Sequence, residues 1–306
     1  MPNNKRRKFE ANSKMAEKYS RVLSVRIDST PKASLLRKIA VDIKNNRKFY
    51  IVTPNPEQIM IAQSDEIYRS ILDKAKVSIP DGVGLSAANK FLSLPRPKHP
   101  VFGFFILLLQ GLRVGLAVLF DKKWLESEFK VIRGRDMFRD LISLANKSGW
   151  RVFLLGGEGN EGILTKKEIE KNYKNLIIKT RNGPILNSDG SPRTKKDREE
   201  EKLMARDINA FSPDLLIIGM TPPKQEKLLY RWYNSLNFRC SILVGGTFRY
   251  VSGKVILPPK FIADMGLEWL WRLLTGSQKW GRIVNAAIKF PLAVFRYKLL
   301  EGASDN

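Results

Sequence analysis

The feature that most constrains this chain is a rhythm. Short, almost unbroken apolar runs end in small or polar residues, and each is followed by a stretch with helical periodicity. "FYIVTPNPEQIMIAQSDEIYRSILDKA" shows it plainly: a strand to Val52, a Thr-Pro-Asn-Pro turn, then a helix from about Glu57. "KVSIP", "WRVFLLGGEGN", "NLIIKTRNGP", "PDLLIIGM" and "CSILVGGTF" supply further strands. "RVLSVRID" alternates like one more, and "TPKASLLRKIAVDIKNNRK" is helical. Apolar runs without alternation belong to strands covered on both faces. The pattern therefore predicts an α/β fold, a mainly parallel sheet with helices on both faces.

Four of these strands end in loops of small or polar residues: Thr53 and Asn55, Asp81 to Gly84, Gly156 to Gly159, and Gly219 to Gln225. In a parallel sheet such loops share one rim, where ligands bind in open α/β folds. Within "VSIPDGVGL", Pro80 cannot donate to a ladder and marks the strand's end. Asp81 then projects from that end, and Gly82 and Gly84 let the backbone turn and approach a ligand. On these residues alone, Asp81 is equally a cap for the next helix. "GGEGN" lacks the dinucleotide and Walker patterns and is equally a plain turn.

Two segments break the rhythm. Within 95–130, "VFGFFILLLQGLRVGLAVLF" runs from Val101 to Phe120 with Arg113 as its only charge. It is long enough to span a bilayer, yet a single crossing would separate strands that belong to one sheet. A shallow or re-entrant hairpin bent at Gly111 or Gly115 avoids that conflict. The alternative is a helix packed on the core or on another subunit. From Arg272 through Lys279, Arg282, Lys289, Arg296 and Lys298 no acid intervenes, and Trp269, Trp271, Trp280, Phe290 and Phe295 are interspersed. Continued as one helix, Arg272, Lys279, Lys289 and Arg296 share nearly one face. That is the composition of an interfacial helix near anionic lipid. The expected organisation is a flexible basic tail over 1–20, an α/β domain over 21–274 carrying the apolar insertion, and a basic membrane-associating appendage over 275–306. Nucleotide binding is expected to survive deletion of that appendage.

Composition enters through charge. With 54 Lys and Arg against 30 Asp and Glu in 306 residues, the formal charge of +24 calls for an anionic partner. Nucleic acid, anionic lipid and phosphorylated substrates all qualify. A nucleic-acid module would lack the usual signatures and leave the apolar insertion unexplained. A Rossmann dehydrogenase is disfavoured because no dinucleotide fingerprint opens the first βα unit. One cysteine (Cys240) and one histidine (His99) leave neither a disulfide framework nor a zinc cluster to build. The opening "MPNNKRRKFEANSKMAEKYS" lacks the apolar core of a signal peptide, so a cytoplasmic setting is expected.

In this order "TPNPEQ", "IPDGVG", "FLLGGEGN", "PDLLIIGMTPPKQE", "VGGTF" and "GLEWLWRLL" resemble the WecG/TagA/CpsF glycosyltransferases, over about Val22 to Leu274 apart from 95–130. The resemblance implies a Rossmann-like sheet and inverting, metal-independent transfer of an N-acetylmannosamine-type sugar, or its uronate, from UDP to polyprenyl-diphosphate-linked N-acetylglucosamine. It places the protein peripherally on the inner membrane face, with no cofactor and with a homo-oligomer open. Asp81 becomes the candidate general base. Thr53 and Asn55 are implied to bond sugar hydroxyls, Gly82 and Gly84 to admit the sugar, and Gly156 and Gly157 to bring amides to the nucleotide. Gln225 is implied to orient sugar or diphosphate, with Lys224 offsetting phosphate charge, Glu226 beside it and Arg272 reaching back to the diphosphate. The chain departs from the family pattern twice. Val131 stands where an arginine is usual, leaving Arg133 and Arg135 as phosphate candidates, and Arg249 replaces an acid in "GGTFRY". A catalytically silent membrane-bound relative is the main alternative.

Overall fold

The structure is a computed structural model describing residues 19–97, 100–127, 130–276 and 280–304. Nearly all of the basic tail, His99 and Lys279 fall outside the described residues. The strands are β1 (Tyr19–Val22), β2 (Val25–Asp28), β3 (Phe49–Val52), β4 (Val77–Ser78), β5 (Val152–Gly156), β6 (Ile178–Arg181), β7 (Leu215–Gly219) and β8 (Cys240–Leu243). The first helices are α1 (Lys32–Lys44), α2 (Pro56–Ser64), α3 (Glu66–Lys74), α4 (Val83–Ser93), α5 (Pro100–Phe120), α6 (Lys122–Leu125), α7 (Gly134–Ser148) and α8 (Glu161–Asn172). They are followed by α9 (Lys195–Phe211), α10 (Lys224–Trp232), α11 (Thr247–Val251), α12 (Lys260–Asp264), α13 (Glu268–Leu274), α14 (Trp280–Val284) and α15 (Phe290–Ser304).

β3 to β8 form one six-stranded sheet in the order β4-β3-β8-β7-β5-β6, and every pairing is parallel. The β3, β5, β7 and β8 residues are all buried, as unbroken apolar runs require. Their side chains alternate between two cores. One contains Val52, Leu155, Ile218 and Leu243 with helices such as α2, α4 and α9; the other contains Ile51, Leu154, Ile217 and Ile242 with α1 and α7. Helices therefore cover both faces, and the carboxyl ends of β3, β8 and β4 lie side by side.

Three expectations change. "RVLSVRID" is not one strand but part of the antiparallel β1–β2 hairpin, which turns at Leu23 and Ser24 with φ of 47° and 69°. Paired positive φ angles match the twist of a tight hairpin, but neither residue carries the Asn-Gly signal that would reveal it. The apolar run of the insertion is one helix, α5, unbroken through Gly111 and Gly115 rather than a hairpin. Its buried positions, Gly103, Leu107, Val114 and Ala117, form one stripe along its length, so it lies against the body.

The third change concerns 275–306, which the structure does not set apart. A π-helical turn, Asn285–Lys289, joins α14 to α15 and shifts the register of the basic residues. Lys289 and Arg296 are exposed, whereas Arg282 turns inward to Glu57. On α15, Phe290, Val294 and Lys298 are buried in the core shared with α2, α4 and α5. The Lys298 ammonium donates to the carbonyls of Phe91 and Leu94 and to Gln110 Oε1, tying α4, α5 and α15 together. Burial, helped by the Arg96 charge, lowers its pKa to about 8.

Candidate active site

The recess begins where β3, β4 and β8 end. Thr53 follows β3, its hydroxyl donating to the Leu243 carbonyl at 2.8 Å; Thr247, after β8, donates to the Val244 carbonyl at 2.7 Å. Both hydroxyl protons are thus used within the protein, leaving oxygen lone pairs as acceptors. Asn55 caps α2 in a capping box with Gln58. Its Oδ1 accepts from Gln58 N, and among the described residues nothing accepts from its Nδ2, which lines the recess as a donor.

Asp81 is held by its own backbone, whose N–H donates to the Pro54 carbonyl at 2.9 Å. It does not cap α4: Gly82 is the N-cap, with no side-chain capping bond. The carboxylate instead faces the start of α7, where the nearby Gly134 N–H favours its ionised form. A Cβ on Gly134 would lie 3.5 Å from Asp81 Oδ2, which measures how closely backbone and carboxylate approach. Burial raises the Asp81 pKa to about 6; the Arg272 and Arg135 charges and the nearby Gly134 N–H oppose it, while Glu268 adds to it.

Arginines line the opposite wall. Glu268, at the start of α13, takes Arg135 in a bidentate pair at 2.7 and 3.0 Å, Arg133 at 3.1 Å and Arg272 at 3.5 Å. Burial pushes the Glu268 pKa up, but the Arg135 bond and the surrounding charges hold it below the ordinary carboxylate value. Arg133 also donates to the Ala263 carbonyl, and Arg272 lies over the Tyr250 ring at 5.4 Å. Arg282 completes the wall from α14, and Arg249 stands at its edge, 3.7 Å from Glu161. Five arginines line the recess against Asp81 and Glu268, so it attracts an anion of more than one charge.

The residues named from sequence divide into those inside this recess and those outside it. Thr53, Asn55, Asp81, Arg133, Arg135, Gln225 and Arg272 line it. Gly82, Gly84, Gly156, Gly157, Lys224 and Glu226 do not. Gly156, at φ +106°, is required by backbone packing, since a Cβ there would sit 2.7 Å from the Gly219 carbonyl oxygen. The Gly157 N–H donates to that same carbonyl. The Lys224 ammonium is used on the Leu186 carbonyl at 2.6 Å. Gly84 makes room for protein rather than sugar: a Cβ there would lie 2.7 Å from Pro56 Cγ. Gly84→Ala is accordingly expected to cost about 1–3 kcal/mol of stability, read as a lower urea midpoint.

Gln225 straps the rim together. Its Oε1 accepts from Met220 N after β7 and Gly245 N after β8, while its Nε2 donates to Glu226 Oε1. Glu226 is fully buried, also accepts from Gln58, and keeps Oε2 without a partner. Burial raises its pKa from 4.5 to about 7, against the pull of the Gln225 and Gln58 amides. The folded protein therefore holds this proton more tightly than the unfolded chain. The resulting stability is complete below 4.5 and is lost as pH rises through about 7. Glu226→Gln keeps an acceptor for both amides and removes the titration. Its urea stability is expected to fall less over that window, by on the order of 2–3 kcal/mol.

Sequence reasoning did not place Gln58, Thr247, Tyr250, Glu268 or Arg282 in the site. Glu268 had a signal, as the single acid in "GLEWLWRLLTGSQKWGR"; the others come together only through the fold.

The family described as "Glycosyl transferase WecG/TagA/CpsF family" matches residues 20–120 and 112–304, so the match continues through the C-terminal helices. The chain is 25% identical over 256 residues to an N-acetylglucosaminyldiphosphoundecaprenol N-acetyl-β-D-mannosaminyltransferase of Bacillus spizizenii, covering 84% of this chain and 82% of that protein. A protein of the same name from Bacillus subtilis is 26% identical over 248 residues, covering 80% and 78% respectively. Another from Staphylococcus aureus is 22% identical over 280 residues, covering 91% of each.

Proposed function

We propose, for a chain that belongs to the WecG/TagA/CpsF glycosyltransferase family, that it moves an N-acetylmannosamine-type sugar from UDP to a polyprenyl-diphosphate-linked N-acetylglucosamine. The observation that carries this reading is the pairing of one raised-pKa carboxylate, Asp81, with an arginine wall at the carboxyl rim of a parallel sheet. The names of the similar proteins support the acceptor and the sugar class. Asp81 takes the proton from the attacking acceptor hydroxyl, and a single displacement inverts the anomeric carbon. The arginines stabilise the charge that develops on the departing UDP. Gln225 keeps the β7 and β8 loops together, and the Asn55 amide orients a sugar hydroxyl. The protein works peripherally at the cytoplasmic membrane face, where its acceptor's lipid resides.

Among the described residues no group of three His, Cys, Asp or Glu could hold a metal ion. The test is a transfer assay, in EDTA, of a panel of UDP-sugars with a short-chain polyprenyl-diphosphate-N-acetylglucosamine, read by mass spectrometry. A disaccharide product from a UDP-N-acetylmannosamine-type donor is expected. Absence of transfer from every donor overturns the reading.

A further inference from the structure

Among the described residues, α5 packs one face on the protein and leaves the opposite face uncovered. Leu107, Val114 and Ala117 are buried, and Gly111 sits against the Phe91 ring of α4. On the outer side Phe105, Leu108, Leu109, Leu112, Leu116 and Phe120 are exposed, Leu109 at 65% and Phe120 at 78%. The only charge within 101–120, Arg113, folds over the Trp124 ring at 4.6 Å. No acid occurs between Asp81 and Asp121, and cations flank the helix on both sides, Arg96 and Lys98 before it, Lys122 and Lys123 after it.

We infer that α5 lies in the plane of an anionic bilayer, its outer face in the acyl region and its flanking cations at headgroup level. Length alone would allow α5 to span, but contacts along its inner stripe hold it against the body and leave only the opposite stripe for lipid. A second apolar protein surface would satisfy the hydrophobic face equally. It would not account for cations at both ends, which anionic headgroups attract. The surface also leads to the recess. A Cβ on Gly266 would lie 3.5 Å from Val118 of α5, and Glu268 and Arg272 follow on α13. Phe261, Trp269 and Leu274 are also exposed on the neighbouring α12 and α13. A lipid-linked diphosphate held at headgroup level would thus meet the arginine wall. This last step rests on the proposed function; the docking of α5 does not.

The test uses the full chain and a triple variant, Leu109→Glu, Leu112→Glu and Leu116→Glu, all at exposed positions. Sedimentation is measured with vesicles of phosphatidylcholine alone and with phosphatidylglycerol added, at low and high salt. Wild type is expected to bind, more strongly with phosphatidylglycerol at low salt, and the variant to lose about tenfold or more in binding. Turnover with a vesicle-embedded long-chain acceptor should fall in step, while turnover with a soluble short-chain acceptor stays within about twofold. Separately, Leu112→Trp in the otherwise native chain should be quenched by lipids brominated on the acyl chain. Unchanged vesicle binding in the triple variant, or no quenching of the tryptophan, overturns the inference. So does a wild-type dimer that ignores vesicles and that the triple variant dissociates, which would make a second copy the occupant. Vesicle binding through α5 with no transfer to either acceptor would uphold the docking face and reject the proposed function.

Discussion

Asp81→Asn is expected to lower turnover by roughly 100-fold or more while leaving the fold and UDP binding in place. The substitution preserves size and the local turn, because the backbone bond from Asp81 N to Pro54 O does not involve the side chain. What it removes is the acceptor for the attacking hydroxyl's proton. Among the described residues lining the recess no second carboxylate is free to substitute, since Glu268, the other acid there, is engaged by Arg133, Arg135 and Arg272. Isothermal titration with UDP alongside steady-state turnover separates the two effects. Near-wild-type turnover in the variant would reduce Asp81 to a structural residue.

Deleting residues 280–306 is expected to abolish cooperative folding. Phe290 and Val294 are buried in the core, and the Phe295 ring stacks on Phe91 at 5.9 Å. Loss of one buried Phe side chain alone costs about 3–5 kcal/mol, against a net stability of about 5–15 kcal/mol for a typical domain. Losing the whole helix also exposes α4 and leaves the Phe91 and Leu94 carbonyls without their Lys298 donor. Arg282 departs with it, leaving Glu57 without that ion pair. The deletion variant should therefore give no sigmoidal urea transition and no near-ultraviolet circular dichroism. A well-folded deletion variant that still bound UDP would show that the helix is an accessory.

These two expectations mark where the sequence was informative. Strand ends were legible because Pro80 and the Thr-Pro-Asn-Pro turn interrupt apolar runs, and Thr53, Asn55, Asp81 and Gln225 therefore reached one recess. The glycines misled. Gly84 and Gly156 are needed for close protein packing, and a one-dimensional pattern does not distinguish a close approach of backbone from that of a ligand. The C-terminal charges were legible only in part. Helical spacing assumes a continuous register, which the π turn at Asn285–Lys289 interrupts; Lys289 and Arg296 do face solvent, but Arg282 pairs with Glu57 and Lys298 is buried. Lys298 looked like a membrane-facing cation because nothing local reveals that it meets three oxygens from α4 and α5. Glu268 organises the arginine wall from a segment whose composition pointed to lipid.

The pH dependence of kcat/KM for sugar transfer tests the central claim most directly, because it reports the ionisation of the free enzyme's essential base. Burial raises Asp81 to about 6, and only the ionised carboxylate can accept a proton. Both substrates' diphosphates are diesters, already fully ionised well below that pH. The rate should therefore rise with pH through a single limb near 6 and level off above it, with no such limb in the residual activity of Asp81→Asn. A wild-type profile that stays flat through this range, or the same limb persisting in Asp81→Asn, would contradict the assignment of Asp81 as the base.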